Sequence, residues 1–382
     1  PPHVDHPIRE AIKYLTDVQQ TRDGREQRMQ LRSLPRREWE YTVLTRGKAA
    51  QWMDAILWGW QSRTYVHPIW TDQTTLQGSI PAGSTGLPCD TAGRDFTADG
   101  MVAIIDDERK NEVLRVSEVR DNEVALQDPT EYSWPEGSFV YPAESAWMSA
   151  EVSASLRDYD LIEQDVKFIV QELSHDWQAT APSQTHEGVP AVTTPVPTRN
   201  YSSDRTRRID VQDNQTGRRL RRDLTGRPTF TREHRYVLEG RQAITDFRRL
   251  VYFLKGRYKD VWMPTWFADL TLLSDIKPGV AVVTVWSVGY DAYYRMQTGR
   301  ANIAILRNDG TWFFRRVTNA AENDDGTQSL TLASSIDSFI AVGQVARFGW
   351  LERVRLEGDS VEIVWELPDL AVSEVSWRGI PE

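Results

Sequence analysis

A single cysteine, Cys89, stands in 382 residues, which excludes a disulfide within one chain and any thiolate metal cluster. Stability must come from packing and assembly. Long apolar runs are missing too. The longest, Val280 to Trp286, is broken by Thr284 and falls far short of the roughly 20 residues a membrane helix needs. Nor is there an excess of positive charge: the formal net charge is −10, which opposes general nucleic-acid binding because phosphate contacts need a basic surface. Pro1 to Lys13 carries His, Asp, Arg and Glu where a secretory leader would be basic and then apolar, so a soluble protein without a signal peptide is expected.

Catalytic patterns are equally scarce. There is no phosphate loop, no Gly-x-Ser-x-Gly elbow and no His-Glu-x-x-His, and His67, His175, His186 and His234 form no spaced motif. His3-Val4-Asp5-His6 has metal-ligand residue types but no convincing third partner on a terminus expected to fray. Asp106, Asp107 and Glu108 read as a solvated turn. Asn323-Asp324-Asp325-Gly326 lacks the regular ligand spacing of a calcium loop. Cys89 beside His67 would make a nucleophile pair, but a lone cysteine is by default a small buried hydrophobe. No catalytic, cofactor or metal residue is assigned, and the chain is expected not to be an enzyme.

What the chain has is a second copy of itself. Asp17, Val18, Gln19, Gly24, Arg25, Arg28 and Leu31 match Asp210, Val211, Gln212, Gly217, Arg218, Arg221 and Leu224 without gaps. Pro68, Trp70, Thr75, Leu76, Ile80 and Gly83 then fall on Pro264, Trp266, Thr271, Leu272, Ile276 and Gly279. Further blocks pair Ala103-Ile104 with Ala304-Ile305, Val116 with Val317, Ser138-Phe139 with Ser338-Phe339, and Trp147 with Trp350. Collinear blocks of this kind point to a duplication. The first unit spans 1–178 and the second 201–382. Between them, 179–200 is rich in Pro, Thr, Ser and Val, a composition that favours an extended connector over a packed element.

Each unit carries one helical pattern. Ile244, Phe247, Val251 and Leu254 recur at helical spacing within 241–255, and Ala49, Trp52, Ile56 and Trp60 do nearly the same within 46–60, so each helix should lay an apolar stripe on a sheet. Ala301 to Arg307 and Thr311 to Val317 flank Asn308-Asp309-Gly310, a hairpin turn. Its counterpart is Ala103 to Ile105 and Val113 to Val116 around Asp106 to Asn111. Strands at Val166 to Val170 and Val361 to Trp365 should close the units. One helix against several short strands, twice, gives a mainly β (α+β) chain of two tandem β-sandwich units.

Gly24-Arg25-Glu26-Gln27-Arg28, then Arg36-Arg37 and Trp39-Glu40-Tyr41, resembles a segment of the distal tail proteins of siphophages and gene-transfer agents, over about residues 17 to 80. Tyr258 to Trp266 resembles the post-helix segment of related tail-tip proteins. In the second unit Arg219-Leu220 replaces the Glu26-Gln27 pair. The resemblance implies a non-enzymatic structural protein of the virion with a tail-tube-like β-sandwich. It would form a homo-oligomeric ring between the tail tube protein and the tail-tip hub proteins, with DNA only as transiting cargo and no membrane partner. Three chains displaying six similar units are favoured over six chains in two tiers. Gly24, Arg25, Glu26, Gln27, Arg28, Pro68, Trp70, Gly217, Arg218, Arg221, Pro264 and Trp266 are the structural and interface candidates, because arginine forks suit bidentate pairing with carboxylates. Seven arginines between Arg205 and Arg222 should face neighbouring subunits or the acidic remainder of the chain. The 15 Trp and 13 Tyr motivate an alternative, a carbohydrate- or receptor-binding module. A peptidoglycan-degrading enzyme comes last, lacking its constellation.

Overall fold

A computed structural model of the chain describes residues 1–106, 110–171, 179–194, 201–294 and 299–380. The fold is mainly β with antiparallel pairing throughout the main sheets. In the first half the elements are β1 (Ile8–Lys13), β2 (Thr16–Gln20), β3 (Glu26–Gln30), β4 (Arg36–Arg46), α1 (Lys48–Gly59), β5 (Thr64–Pro68), β6 (Thr74–Thr75), β7 (Gly86–Pro88), β8 (Met101–Ile105), β9 (Asn111–Arg120), β10 (Glu123–Leu126), β11 (Phe139–Met148), β12 (Ser153–Asp158) and β13 (Leu161–Val170). Two short strands follow, β14 (Thr185–His186) and β15 (Val189–Pro190). The second half has β16 (Ser202–Thr206), β17 (Ile209–Gln212), β18 (Leu220–Asp223), β19 (Thr229–Glu239), α2 (Arg241–Leu254), β20 (Asp260–Pro264), β21 (Val282–Trp286), α3 (Tyr290–Tyr293), β22 (Asn302–Arg307), β23 (Trp312–Glu322), β24 (Thr327–Leu332), β25 (Val345–Leu356), β26 (Ser360–Leu367) and β27 (Leu370–Gly379). No helix among the described residues is long and apolar enough to cross a membrane.

Period-two patterning builds the strands. On β4, Arg37, Trp39 and Tyr41 point inward and are buried, and on β19 Arg232, His234, Tyr236 and Leu238 do the same. Both helices start after a glycine with positive φ, Gly47 at 55° and Gly240 at 82°, a turn that a side chain would strain. The chain can then reverse from strand to helix without a linker.

The backbone hydrogen bonds of one half recur in the other. Asp17↔Met29 and Val18↔Arg28 on β2–β3 answer to Asp210↔Arg222 and Val211↔Arg221 on β17–β18. Gly47 N–H donates to Asp160 O and Gly240 N–H to Asp369 O. Leu76 bridges Cys89 as Leu272 bridges Val285, and Ile80 bridges Trp134 as Ile276 bridges Ile340. β4 pairs with β13, and β19 with β27. Hairpins β12–β13 and β26–β27 even shift register at corresponding places, Leu156/Asp158 and Trp365/Leu367.

The same bonds correct two late matches. Ile69 donates to Pro142 O and Thr265 to Trp350 O, so Trp350 corresponds to Pro142 and Trp147 to Arg355. Phe139 lies opposite Ile105 on β8, whereas Phe339 precedes Ile340, whose own counterpart is Trp134. Length differences ahead of β11 and β25 shifted the alignment. For the same reason Val166 to Val170 and Val361 to Trp365 close no equivalent place: one lies on β13, the other on β26.

Three further expectations differ. The second half has the extra short helix α3. α1 buries only Ala50, leaving Trp52, Trp58 and Trp60 exposed. α1 does lie on the sheet, through Met53 and Leu57 against Trp39 of β4 and Phe168 of β13, but this is a different face from the expected one, whose Trp52 and Trp60 are exposed. α2, by contrast, buries Ile244, Phe247, Val251 and Leu254. The connector is also not simply extended: β14 and β15 form a hairpin, and Ala191 and Val192 are buried against Trp262. Over 179–194 the segment expected to be a spacer supplies a docked cover; its remaining residues, 195–200, fall outside the described residues.

Candidate assembly interface

The junction between the halves combines strand pairing with buried ion pairs. β1 pairs on one side with β4 and on the other with β26 of the second half, Ile8↔Trp365 through Lys13↔Ser360. One sheet therefore runs β12-β13-β4-β1-β26-β27-β19-β16. Ile12 and Tyr14 lie in the same core cluster as Phe247, Tyr252, Ile363 and Trp365, so the boundary in sequence is not a boundary in packing.

Beneath this sheet lies a buried ionic network. Glu10 accepts from Arg37 at 2.9 Å and from Arg248 at 2.8 Å, and the Trp365 indole donates to it at 3.1 Å. Arg248 also reaches Asp72 at 3.1 Å, Arg241 reaches the same carboxylate at 2.7 Å, and Arg37 pairs with Asp95 and, at 2.8 Å, with Glu144. Arg37, Arg248, Glu10 and Asp72 have fully buried side chains. Burial acts against the charge of Arg37, but Asp95, Glu144 and Glu10 outweigh it and hold its pKa well above the ordinary value. Burial likewise opposes Arg248, and Asp72 and Glu10 raise it. Burial pushes Glu144 up although Arg37 pulls it down. Removing one member leaves a buried charge unpaired, at about 3–5 kcal/mol. Arg241, Thr245 and Arg248 come from α2, and Gly93 sits so close that a Cβ there would meet Thr245 Oγ1 at 2.9 Å.

The Gly-Arg-Glu-Gln-Arg segment belongs to this junction. Gly24, with φ of 88°, turns hairpin β2–β3. Glu26 receives a bidentate fork from Arg355 at 2.7 and 2.8 Å, both side chains almost fully buried. Arg28 pairs with Asp260 at 2.9 Å and donates to Tyr258 O. Asp359 accepts from Thr16 N–H and Arg257. Glu26 and Arg28 thus pair across the halves of one chain. Arg25 and Gln27, on the alternate face, are exposed, Arg25 meeting only Asp23 at 3.5 Å.

In the second half the corresponding hairpin is exposed among the described residues. Every residue of β17–β18 except Ile209 is exposed. Gly217, Arg218 and Arg221 are exposed, and in the arginine cluster Arg207 pairs with Asp223 and Arg219 with Asp213. Pro68 ends β5, and Trp70 donates to Tyr41 Oη at 3.2 Å. Pro264 ends β20, and Trp266 is buried at a φ of 64°. Sequence reading missed Glu10, Asp72, Asp95, Arg241 and Arg248. A carboxylate at a buried position of the alternating β1 could have flagged the first, though not its partners.

The remaining candidates do not converge. Cys89 packs with Leu87, Val124 and Trp134, its thiol pushed up to about 11 by burial. His67 sits in another cluster beside Tyr41 and Phe168, its pKa lowered to about 3 by burial and by Arg37. His3 and His6 have ring centroids 5.4 Å apart at the terminus, and among the described residues no three His, Cys, Asp or Glu gather as a metal site. His186 lies 2.8 Å from Asn302, and the His234 ring lies tilted at 34° to that of Tyr236, centroids 4.4 Å apart. Asp325 accepts from Thr327 within its own turn. Asp107 and Glu108 of the proposed turn, and His175, fall outside the described residues.

No family model matches this chain, and no curated protein does. The interface therefore has to be interpreted from its own geometry.

Proposed function

We propose that this chain is a non-enzymatic structural protein of a bacteriophage tail, forming a ring at the distal end that joins the tail tube to the tip hub. The supporting observation is the junction itself: two halves with recurring hydrogen bonds share one sheet, locked by Glu26–Arg355, Arg28–Asp260 and the Glu10 network. A duplicated unit that packs head to tail against itself is suited to assembly. The tail assignment rests on the resemblance over residues 17 to 80, whose Glu26 and Arg28 are the residues that lock the halves. Three chains presenting six units would meet a six-fold tube and a three-fold hub. Antibody-gold labelling of phage particles and mass analysis of purified tails test this: label at the tail tip is expected, and absence from intact particles would refute it.

One observation favours a second reading, a carbohydrate- or receptor-binding module. An open cleft of about 740 Å³ on the first half is lined by Trp52, Trp70, Val113, Phe139 and Tyr141, and aromatic faces suit sugar rings. Glycan-array binding that disappears in Trp52→Ala would support it; an array without signal would exclude it.

A further inference from the structure

β1 has a strand on each side, and β16, its counterpart by hydrogen-bond position, has only β19 among the described residues. β26 lies between β27 and β1, and its counterpart β12 has only β13 among the described residues. The two ends of the eight-strand sheet are thus complementary halves of a contact that the chain already makes once. We propose that β16 of one copy pairs antiparallel with β12 of the next, repeating between chains the pairing of β1 with β26. This names the surfaces of the ring proposed above, but it rests on the recurring hydrogen bonds and not on the tail assignment.

The register follows. Arg9↔Glu40 corresponds to Ser202↔Glu233, and Val364↔Val372 to Ser155↔Glu163. Since Arg9 lies opposite Val364 and Ala11 opposite Glu362, Ser202 is placed opposite Ser155 and Asp204 opposite Ser153. Three further features agree. All six residues of β12 are exposed, and Leu156 is 68% exposed where its counterpart Trp365 is 2% exposed. On and just after β16, Arg205, Arg207 and Arg208 outnumber Asp204, whereas on and beside β12 Glu151, Asp158 and Asp160 outnumber Arg157, and opposite patches steer unlike edges together while like edges repel. The face of α2 that the first half covers carries Arg241, Thr245 and Arg248. Counted from Gly47 and Gly240, the same face of α1 carries Lys48, Trp52 and Ala55 and lies open. An uncovered strand edge is a liability that closure removes, and a head-to-tail contact closes into a ring when its rotation permits.

The full chain carrying Asp204→Cys and Ser153→Cys is oxidised with diamide and run on a denaturing gel. Both positions are exposed, and Cys89 is buried. A reductant-sensitive ladder of linked chains is expected from the double variant, and linked dimers alone from a mixture of the two single variants. No inter-chain link in the double variant overturns the proposal, as does a link formed by either single variant alone, which would mean like edges meeting. In a second test, Arg205→Glu with Leu156→Asp should weaken self-association about tenfold or more in sedimentation with the circular dichroism unchanged; unaltered association would sink the contact. Linked rings from a protein absent from tail particles would remove the tail reading alone, and a monomer found in particles would remove this contact alone.

Discussion

The same helix meets two fates in the two halves. α2 is clasped by the first half through Arg241–Asp72, Arg248–Glu10 and Thr245–Gly93, while α1 turns Trp52, Trp58 and Trp60 to solvent. The cover over the second sheet differs too. The β14–β15 hairpin and Ala191 lie on Trp262, Ala304, Phe314 and Leu351. The corresponding Val66, Ala103 and Val113 of the first half line the open cleft. One set of backbone bonds therefore supports two different surfaces: on α2 the side chains at these positions are paired with the first half, and on α1 they are exposed. The difference lies in what covers the units.

Cutting the clasp should have the largest effect on this contrast. Arg248→Ala leaves Glu10 and Asp72 short of a partner in a fully buried site, and a loss of about 3–5 kcal/mol is expected in urea unfolding; a change under 1 kcal/mol would mean the network is dispensable. On the helices, Phe247→Ala should cost about 3–5 kcal/mol as a buried aromatic truncation. Trp52→Ala should stay within about 0.5 kcal/mol for the isolated chain. Equal effects would abolish the distinction between a covered and an open helix.

Acid sharpens the comparison further. Burial opposes the charge of Asp359, but bonds from Arg257 and Thr16 outweigh it and lower its pKa below 3.8. A folded pKa below the unfolded value gives stability that is present above the unfolded value and lost as pH falls through the folded one. Thermal stability should therefore fall as pH drops below about 4, and Asp359→Asn should flatten that part of the profile. A profile identical to wild type would remove Asp359 from the junction. Smallest of all, Arg25→Ala should change stability by about 0.5 kcal/mol or less, since its pair with Asp23 is exposed. Glu26→Ala, one residue along, should cost several times more.

That pair of neighbours shows what the sequence made legible. The Arg/Glu chemistry of Gly24 to Arg28 marked the segment as an interface, and the match of Asp17–Leu31 with Asp210–Leu224 gave the hairpin register residue for residue. Matching failed at Trp147 and Trp350, where tryptophan identity outweighed insertions that pairing alone reveals. The stripe on α1 was misread because helical periodicity reports an apolar face without saying whether a strand, a connector or another chain lies against it. Glu10, Asp72 and Arg248 were illegible for a simpler reason: the last is separated from Glu10 by 238 positions, and only the fold brings them together.

The placement of β1 also sets an order of events during synthesis. Its pairing with β4 is available as soon as the first half emerges, but its other partner, β26, includes Glu362, 353 residues away from Arg9. Pairing over such separations is slow because the loop entropy is spent before the contact is made. A growing chain therefore carries β1 as an open edge until β26 leaves the ribosome. The β1–β26 seam then closes later than the β1–β4 pairing, and a chain truncated before β26 would keep that edge open to other chains.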